Sequence, residues 1–192
     1  MKSTSYYFIN GITLYRLVAA PFLVFLIFTG RIEIFKWLLG ISFFTDLIDG
    51  WLARKFKVAS VLGTILDSIA DDCTVLAAVT GMIVLKADFF YSELPILMVL
   101  LGLFAVQNIT ALIRYKKITS FHTYLAKTAA ILQGTFFILL FFLPEPVYVL
   151  FYAAAIITAV ELAEEIILVF YLPEWKANVK GLFHVISERK NK

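Results

Sequence analysis

Six long apolar segments constrain the fold of this chain more than any other feature of its sequence. They cover roughly residues 12–30, 33–53, 60–85, 94–115, 121–143 and 147–171. Each has about the 20 residues that an α-helix needs to cross the hydrocarbon core of a bilayer. Hydrophobic residues make up 61% of the chain, against about 45–50% in soluble domains. The sequence therefore predicts an all-α polytopic membrane protein with six transmembrane helices.

The distribution of basic residues predicts the orientation. Six spans put both termini on one side of the membrane, and every Lys and Arg except Arg31, Lys36 and Lys86 falls on that side. Because positive charge concentrates in cytoplasmic loops, we expect cytoplasmic termini. The expected location is a bacterial cytoplasmic (inner) membrane. The loops are too short for a soluble domain, so residues 1–192 are expected to form a single membrane domain.

Short surface segments are expected at 1–10 and 174–192. The second is basic and contains interspersed apolar residues, a pattern typical of a helix on the membrane surface or of a solvated tail. The net charge of +3 is too small to indicate nucleic acid as a partner. The single cysteine, Cys73, excludes a disulfide framework.

Four aspartates interrupt two of the predicted spans. Asp46 and Asp49 are three residues apart in the second span, and Asp67 and Asp71 are four apart in the third, so each pair lies on one helix face. An ionised Asp near the centre of a span costs about 2.5–3.5 kcal/mol on insertion scales. A bound cation relieves this cost, and oxygen-only ligands favour Mg²⁺ or Mn²⁺. Since the linker is short, we expect the four carboxylates to converge and to hold two ions.

Small residues accompany the aspartates on the same faces, namely Gly50, Ala53 and Gly63. Two interpretations stay open for them. Small residues let transmembrane helices approach closely, or they leave room for a flat ligand such as a nucleobase. Beside a candidate metal site we favour the second interpretation.

The aspartates belong to a longer pattern that resembles the signature of the CDP-alcohol phosphatidyltransferase family. That signature is D-x2-D-G-x2-A-R-x8-9-G-x3-D-x3-D, and all of its fixed positions match at permitted spacing: Asp46, Asp49, Gly50, Ala53, Arg54, Gly63, Asp67 and Asp71. A looser pattern of the family's first helix, N-x2-T-x2-R with a following proline, is similar to Asn10, Thr13, Arg16 and Pro21.

The resemblance implies an enzyme of phospholipid synthesis that transfers a phosphatidyl group from CDP-diacylglycerol to a small alcohol and releases CMP. It implies metal ligation by Asp46, Asp49 and Asp67, and both metal ligation and general-base catalysis by Asp71. It also implies a homodimer within the membrane lipids, with the active site at the cytoplasmic side. The residues expected at the CDP-lipid site are Gly50, Ala53, Arg54, Gly63, Asn10 and Thr13.

Candidate residues for the acceptor alcohol are Arg114, Lys127 and His122. Arg114 and Lys127 lie near or inside predicted spans, and two cations suit a phosphate group. A phosphorylated polyol such as glycerol 3-phosphate or an inositol phosphate is therefore the expected acceptor. His122 is also explained as a helix-capping or interfacial residue.

The identity of the acceptor also depends on three acidic residues in the sixth span, Glu161, Glu164 and Glu165. We expect them to pair with Arg114 or Lys127, because buried charges of both signs need partners. If they instead line the cavity, they favour serine or an amino alcohol as acceptor.

A cation transporter with an acidic site is the alternative from another functional class. It explains buried aspartates, but it explains neither the small residues beside them nor the match at Arg54. Metal-dependent release of CMP from CDP-diacylglycerol distinguishes the two.

Overall fold

The computed structural model describes residues 4–55, 61–119, 121, 123–177 and 179–190, with the backbone alone at 4–10, 47, 49–55, 61–62, 64 and 188–190. The described residues form eight α-helices and no β-strand. The helices are α1 (Thr4–Phe28), α2 (Ile32–Lys55), α3 (Val61–Leu85), α4 (Ala87–Ser92), α5 (Leu94–Tyr115), α6 (Tyr124–Phe142), α7 (Tyr148–Tyr171) and α8 (Leu182–Lys190). The all-α prediction is confirmed for this part of the chain.

Each predicted apolar segment corresponds to one long helix. The bounds of α5 are those predicted, and α2, α3, α6 and α7 begin and end within three residues of the prediction. The candidate span in α1, Gly11–Phe28, agrees with the predicted segment 12–30 to within two residues, although the helix itself begins at Thr4. The apolar run marks only the part of a helix that suits the hydrocarbon, and the polar residues before it continue the same helix.

Within the described residues, four helices contain a stretch that is long and apolar enough to cross a membrane: Gly11–Phe28, Ile65–Leu85, Leu94–Tyr115 and Tyr124–Phe142. The protein is therefore described as an integral membrane protein. Helices α2 and α7 have 24 residues each, but carboxylates interrupt their apolar runs. The arrangement with six spans stays a prediction.

The chain divides into two compact units. Described residues of 1–92 and 137–145 form the first unit, and those of 93–136 and 146–192 form the second. In the second unit α5 packs against α7. The core there consists of Ala111, Phe121, Leu168, Val169, Leu172 and Val179.

In the first unit α1 packs against both α2 and α3. Phe35 and Phe141 are buried there and meet edge to face, with ring centroids 5.0 Å apart. A Cβ atom at Gly81 of α3 would lie 2.7 Å from Cζ of Phe35 and 3.0 Å from Cζ of Phe141. Because glycine has no side chain, the aromatic pair can pack against α3 at Gly81.

We expect Gly81→Ala to lower the stability of the first unit. Overpacking typically costs about 1–3 kcal/mol, which exceeds the gain of about 1 kcal/mol from replacing a helical glycine by alanine. The matched control is Gly40→Ala, since a Cβ atom at Gly40 of α2 meets nothing within 4 Å. Thermal unfolding in detergent should show a lower unfolding temperature for Gly81→Ala and none of this loss for Gly40→Ala. Equal behaviour of the two variants would contradict the packing argument.

Candidate active site

Three carboxylates converge in the first unit. Asp46 of α2 and Asp67 and Asp71 of α3 each offer an oxygen atom, and these atoms all lie within 4.8 Å of one another. Asp67 and Asp71 are one helical turn apart, so they share a face of α3. The predicted convergence is confirmed for these three residues. The side chain of Asp49 lies outside the described residues.

A guanidinium from α1 contacts all three carboxylates. Nη1 of Arg16 lies 2.7 Å from Oδ1 of Asp46 and 3.1 Å from Oδ1 of Asp67, and Nη2 contacts Oδ1 of Asp71. The Arg16 side chain is 1% exposed, whereas those of Asp46, Asp67 and Asp71 are 25%, 21% and 35% exposed. The guanidinium is thus buried, while the carboxylates stay accessible to a ligand.

From the sequence, Arg16 was recognised only as part of the first-helix pattern and not as a member of the acidic site. An arginine within a span is rare and needs a partner, usually an acidic residue on a neighbouring helix. This rule, applied to α1, points to the aspartates of the next two helices.

The donor set fits a hard divalent cation. Mg²⁺ binds oxygen at about 2.0–2.1 Å, so opposite ligands of one ion are about 4.2 Å apart. Oxygen atoms within 4.8 Å of one another reach this geometry through small side-chain movements. Mg²⁺ and Mn²⁺ suit the oxygen ligands equally.

The predicted CDP-lipid residues are described only in part. Thr13 is buried and lies three residues before Arg16 on α1, so the two share a helix face. Gly63 lies one turn before Asp67 on α3. The side chains of Asn10, Gly50, Ala53 and Arg54 lie outside the described residues, so the nucleotide site stays a prediction.

The predicted acceptor residues belong to the second unit. Arg114 is exposed, and its Nη2 donates a hydrogen bond to the carbonyl oxygen of Leu172 at 3.2 Å. Nζ of Lys127 lies 5.3 Å from the ring centroid of Tyr124. His122 lies outside the described residues. The role of these residues in acceptor binding stays a prediction.

Two glutamates of α7 have neutral hydrogen-bond donors as partners. Oε2 of the buried Glu165 accepts hydrogen bonds from Nε2 of Gln107 at 2.7 Å and from Oγ1 of Thr119 at 3.1 Å. Oε1 of Glu164 accepts a hydrogen bond from the backbone N–H of Leu182 at 2.9 Å. These contacts join α7 to α5 and to the start of α8.

The expected pairing of the glutamates with Arg114 or Lys127 is wrong for Arg114 among the described side chains, because Arg114 donates to a backbone carbonyl. The pairing with Lys127 stays a prediction. Leu172 is the C-cap of α7, and the last carbonyls of a helix have no partner within the helix. A cation near the end of a helix is favoured by the same unpaired carbonyls. A carbonyl oxygen at the end of α7 therefore accepts the hydrogen bond that a carboxylate was expected to accept.

Apolar spanning helices that carry a cluster of carboxylates define the class of this molecule, an integral membrane protein with a candidate metal centre. The sequence profile of the CDP-alcohol phosphatidyltransferase family matches residues 7–164. The match includes Arg16 and all three clustered aspartates, and it covers most of the chain. The protein belongs to the CDP-alcohol phosphatidyltransferase family.

Curated relatives include two bacterial enzymes named CDP-diacylglycerol--glycerol-3-phosphate 3-phosphatidyltransferase. The chain is 31% identical to that of Rickettsia bellii over 128 residues, which cover 65% of this chain and 68% of the relative. It is 35% identical to that of Haemophilus influenzae over 88 residues, which cover 44% of this chain and 46% of the relative.

A third relative is a cardiolipin synthase (CMP-forming) / mitochondrial hydrolase fusion protein of Schizosaccharomyces pombe. It is 39% identical over 62 residues, which cover 32% of this chain and 10% of the relative. The matched part thus ranges from a tenth to about two thirds of the relatives' lengths. No solved structure matches the chain.

We expect Mn²⁺ to raise the unfolding temperature of the protein through the carboxylate cluster. A ligand that binds only the folded state stabilises it by about 2.7 kcal/mol at 100 times its Kd. Asp67→Asn should lose most of this stabilisation at the same Mn²⁺ concentration, because it removes one carboxylate of the cluster. Asp72→Asn is the matched control on α3, since Asp72 is not among the clustered acids of the described residues. An unchanged Mn²⁺ response of Asp67→Asn would contradict the assignment.

Proposed function

We propose that the protein transfers a phosphatidyl group from CDP-diacylglycerol to a phosphorylated polyol, with glycerol 3-phosphate as the favoured acceptor, and releases CMP. The observation that carries the proposal is the cluster of Asp46, Asp67 and Asp71 in a chain of this family. Two relatives named for transfer to glycerol 3-phosphate support the choice of acceptor.

The proposed reaction forms one P–O bond and breaks another. The acceptor hydroxyl oxygen attacks the phosphorus atom that carries the diacylglycerol, and the bond from that phosphorus to CMP breaks. The hydroxyl proton passes to the carboxylate of Asp71, and CMP leaves with the bonding electron pair. Asp71 suits this role because its side chain is 35% exposed and can come within hydrogen-bond reach of a bound alcohol.

Asp46, Asp49, Asp67 and Asp71 would hold the metal, proposed as two ions of Mg²⁺ or Mn²⁺. Bound divalent ions stabilise charge on the phosphate oxygens and on the leaving group. The chain's own contribution is to fix the ligands on two adjacent helices, because carboxylates on helices are held more firmly than carboxylates on loops.

The proposal includes six membrane spans, cytoplasmic termini and an active site on the cytoplasmic side of a bacterial inner membrane. Helices α2 and α7 are about 36 Å long at 1.5 Å per residue, enough for a hydrocarbon core of about 30 Å. Residues 1–192 would act as one membrane domain. The homodimer rests on the family resemblance alone.

The tail is proposed to lie on the membrane surface. Helix α8 begins after Gly181, which has a φ of 143°, and Phe183 at its start is 88% exposed. Exposed Lys176 and Lys180 precede it. An exposed aromatic ring beside basic side chains is typical of a helix that binds an anionic lipid surface.

An acceptor panel tests the proposed function. Purified protein is incubated with CDP-diacylglycerol, Mg²⁺ or Mn²⁺, and one of glycerol 3-phosphate, inositol phosphate, inositol, serine or an amino alcohol, and CMP release is measured. We expect metal-dependent release with glycerol 3-phosphate. Turnover with serine or an amino alcohol alone would overturn the acceptor, and no CMP release with any acceptor would favour the cation transporter.

We expect Asp71→Asn to abolish turnover while CDP-diacylglycerol binding stays measurable. Loss of a general base typically lowers the rate by about 10²–10⁴-fold. CMP release and CDP-lipid binding are measured on the same preparation, with Asp72→Asn as the neighbouring control. Turnover of Asp71→Asn within a few-fold of the unsubstituted enzyme would refute the general-base role.

Arg114→Ala should raise the KM for glycerol 3-phosphate about tenfold or more, since a hydrogen bond to a charged group contributes about 1.5–3 kcal/mol. The KM for CDP-diacylglycerol should change much less, as expected when a contact to one substrate is lost. Lys117→Ala is the control, because Nζ of Lys117 lies over the Trp175 ring, 4.9 Å from its centroid. Equal changes in both KM values would argue against acceptor binding by Arg114.

A further inference from the structure

We propose that Arg16 is the resident counter-cation of the carboxylate cluster, and that it competes with the divalent cation for the same oxygen atoms. In the absence of metal it holds Asp46, Asp67 and Asp71 together. When a divalent cation binds, the positive charge of Arg16 opposes it and so lowers the affinity of the cluster for the cation. This inference rests on the metal dependence of the proposed function.

The contacts of Arg16 involve the same three carboxylates that form the candidate metal centre. In each of these three contacts the guanidinium meets the Oδ1 atom of a clustered aspartate. The aspartates come from α2 and α3 and the arginine from α1, so one guanidinium joins three helices. A guanidinium presents five N–H donors in a planar fork, which suits contact with several carboxylates at once.

The guanidinium of Arg16 is buried, and it therefore needs opposite charges around it. Arg16 is 1% exposed, and a charged group taken out of water is retained only where opposite charges compensate it. The carboxylates need it equally, because ionised oxygens within 4.8 Å of one another repel strongly at low dielectric constant. Arg16 therefore stabilises the carboxylate cluster.

The same contacts must weaken metal binding. A divalent cation about 2 Å from the carboxylate oxygens would lie close to a guanidinium that contacts those oxygens at 2.7 and 3.1 Å. Like charges at such distances repel. Removing the positive charge should therefore make the metal-free protein less stable and metal binding tighter. A purely structural arginine would produce the first effect without the second.

The test compares the protein with Arg16→Gln, which keeps N–H donors but loses the charge. Free Mn²⁺ gives an electron paramagnetic resonance signal that disappears on binding, so titration yields Kd without an activity measurement. We expect the Kd of Arg16→Gln to be lower at least about tenfold, which corresponds to 1.4 kcal/mol. Its unfolding temperature in EDTA should also fall, and saturating Mn²⁺ should remove most of this difference.

Two further variants sharpen the test. Arg16→Lys keeps the positive charge and should keep a Kd near that of the unsubstituted protein. Lys86→Met removes another cation of the first unit, whose Nζ donates to the carbonyl oxygens of Leu143 and Pro144, and should leave Kd unchanged. A tighter Kd in both Arg16→Gln and Lys86→Met would reveal a general charge effect and overturn the proposal.

The remaining outcomes separate this inference from the proposed function. An unsubstituted protein that binds Mn²⁺ with the same Kd as Arg16→Gln overturns the inference alone. An unsubstituted protein that binds neither Mn²⁺ nor Mg²⁺ overturns the proposed metal dependence together with the inference. If Arg16→Gln folds neither with nor without Mn²⁺, the guanidinium is a fixed structural element and the competition is refuted.

Discussion

The contact between Arg16 and three aspartates is the interaction on which the first unit depends. Each of the helices α1, α2 and α3 carries charged side chains. On insertion scales, each charge near the centre of a span costs about 2.5–3.5 kcal/mol when nothing compensates it. Bringing the charges together lowers that cost for all three helices at once. The same convergence places oxygen ligands where a divalent cation can reach them, so the feature that makes the helices compatible with a membrane also creates the candidate metal centre.

The sequence predicted the helices well because apolar runs of membrane length are a strong local signal. The spacing of Asp46, Asp67 and Asp71 predicted their convergence, since residues three or four apart share a helix face. Arg16 was not assigned to this site, because no periodicity within α1 reveals a partner 51 or 55 residues away. Only the cost of an unpaired arginine in a span carries that information.

The second unit shows a different limit of sequence reasoning. Charge pairing predicted a glutamate beside Arg114, but the partner is the backbone carbonyl of Leu172. Tyr115 also donates from its hydroxyl to carbonyl oxygens at the end of α7, those of Val169 and Leu172, each at 2.8 Å. Helix ends offer such acceptors whatever the side chains are. Residue type therefore identified the cation but not the atom that receives its hydrogen bond.

The place of Arg16 in the first helix also affects the biogenesis of the protein. Asp71 follows Arg16 by 55 residues, and ribosomes add roughly 5–20 residues per second. About 3–11 seconds therefore pass between the synthesis of the arginine and that of its last partner. During this interval the insertion machinery, interfacial water or a lipid headgroup must solvate the guanidinium. Final packing of α1 is thus a late event in assembly, although α1 is made before α2 and α3.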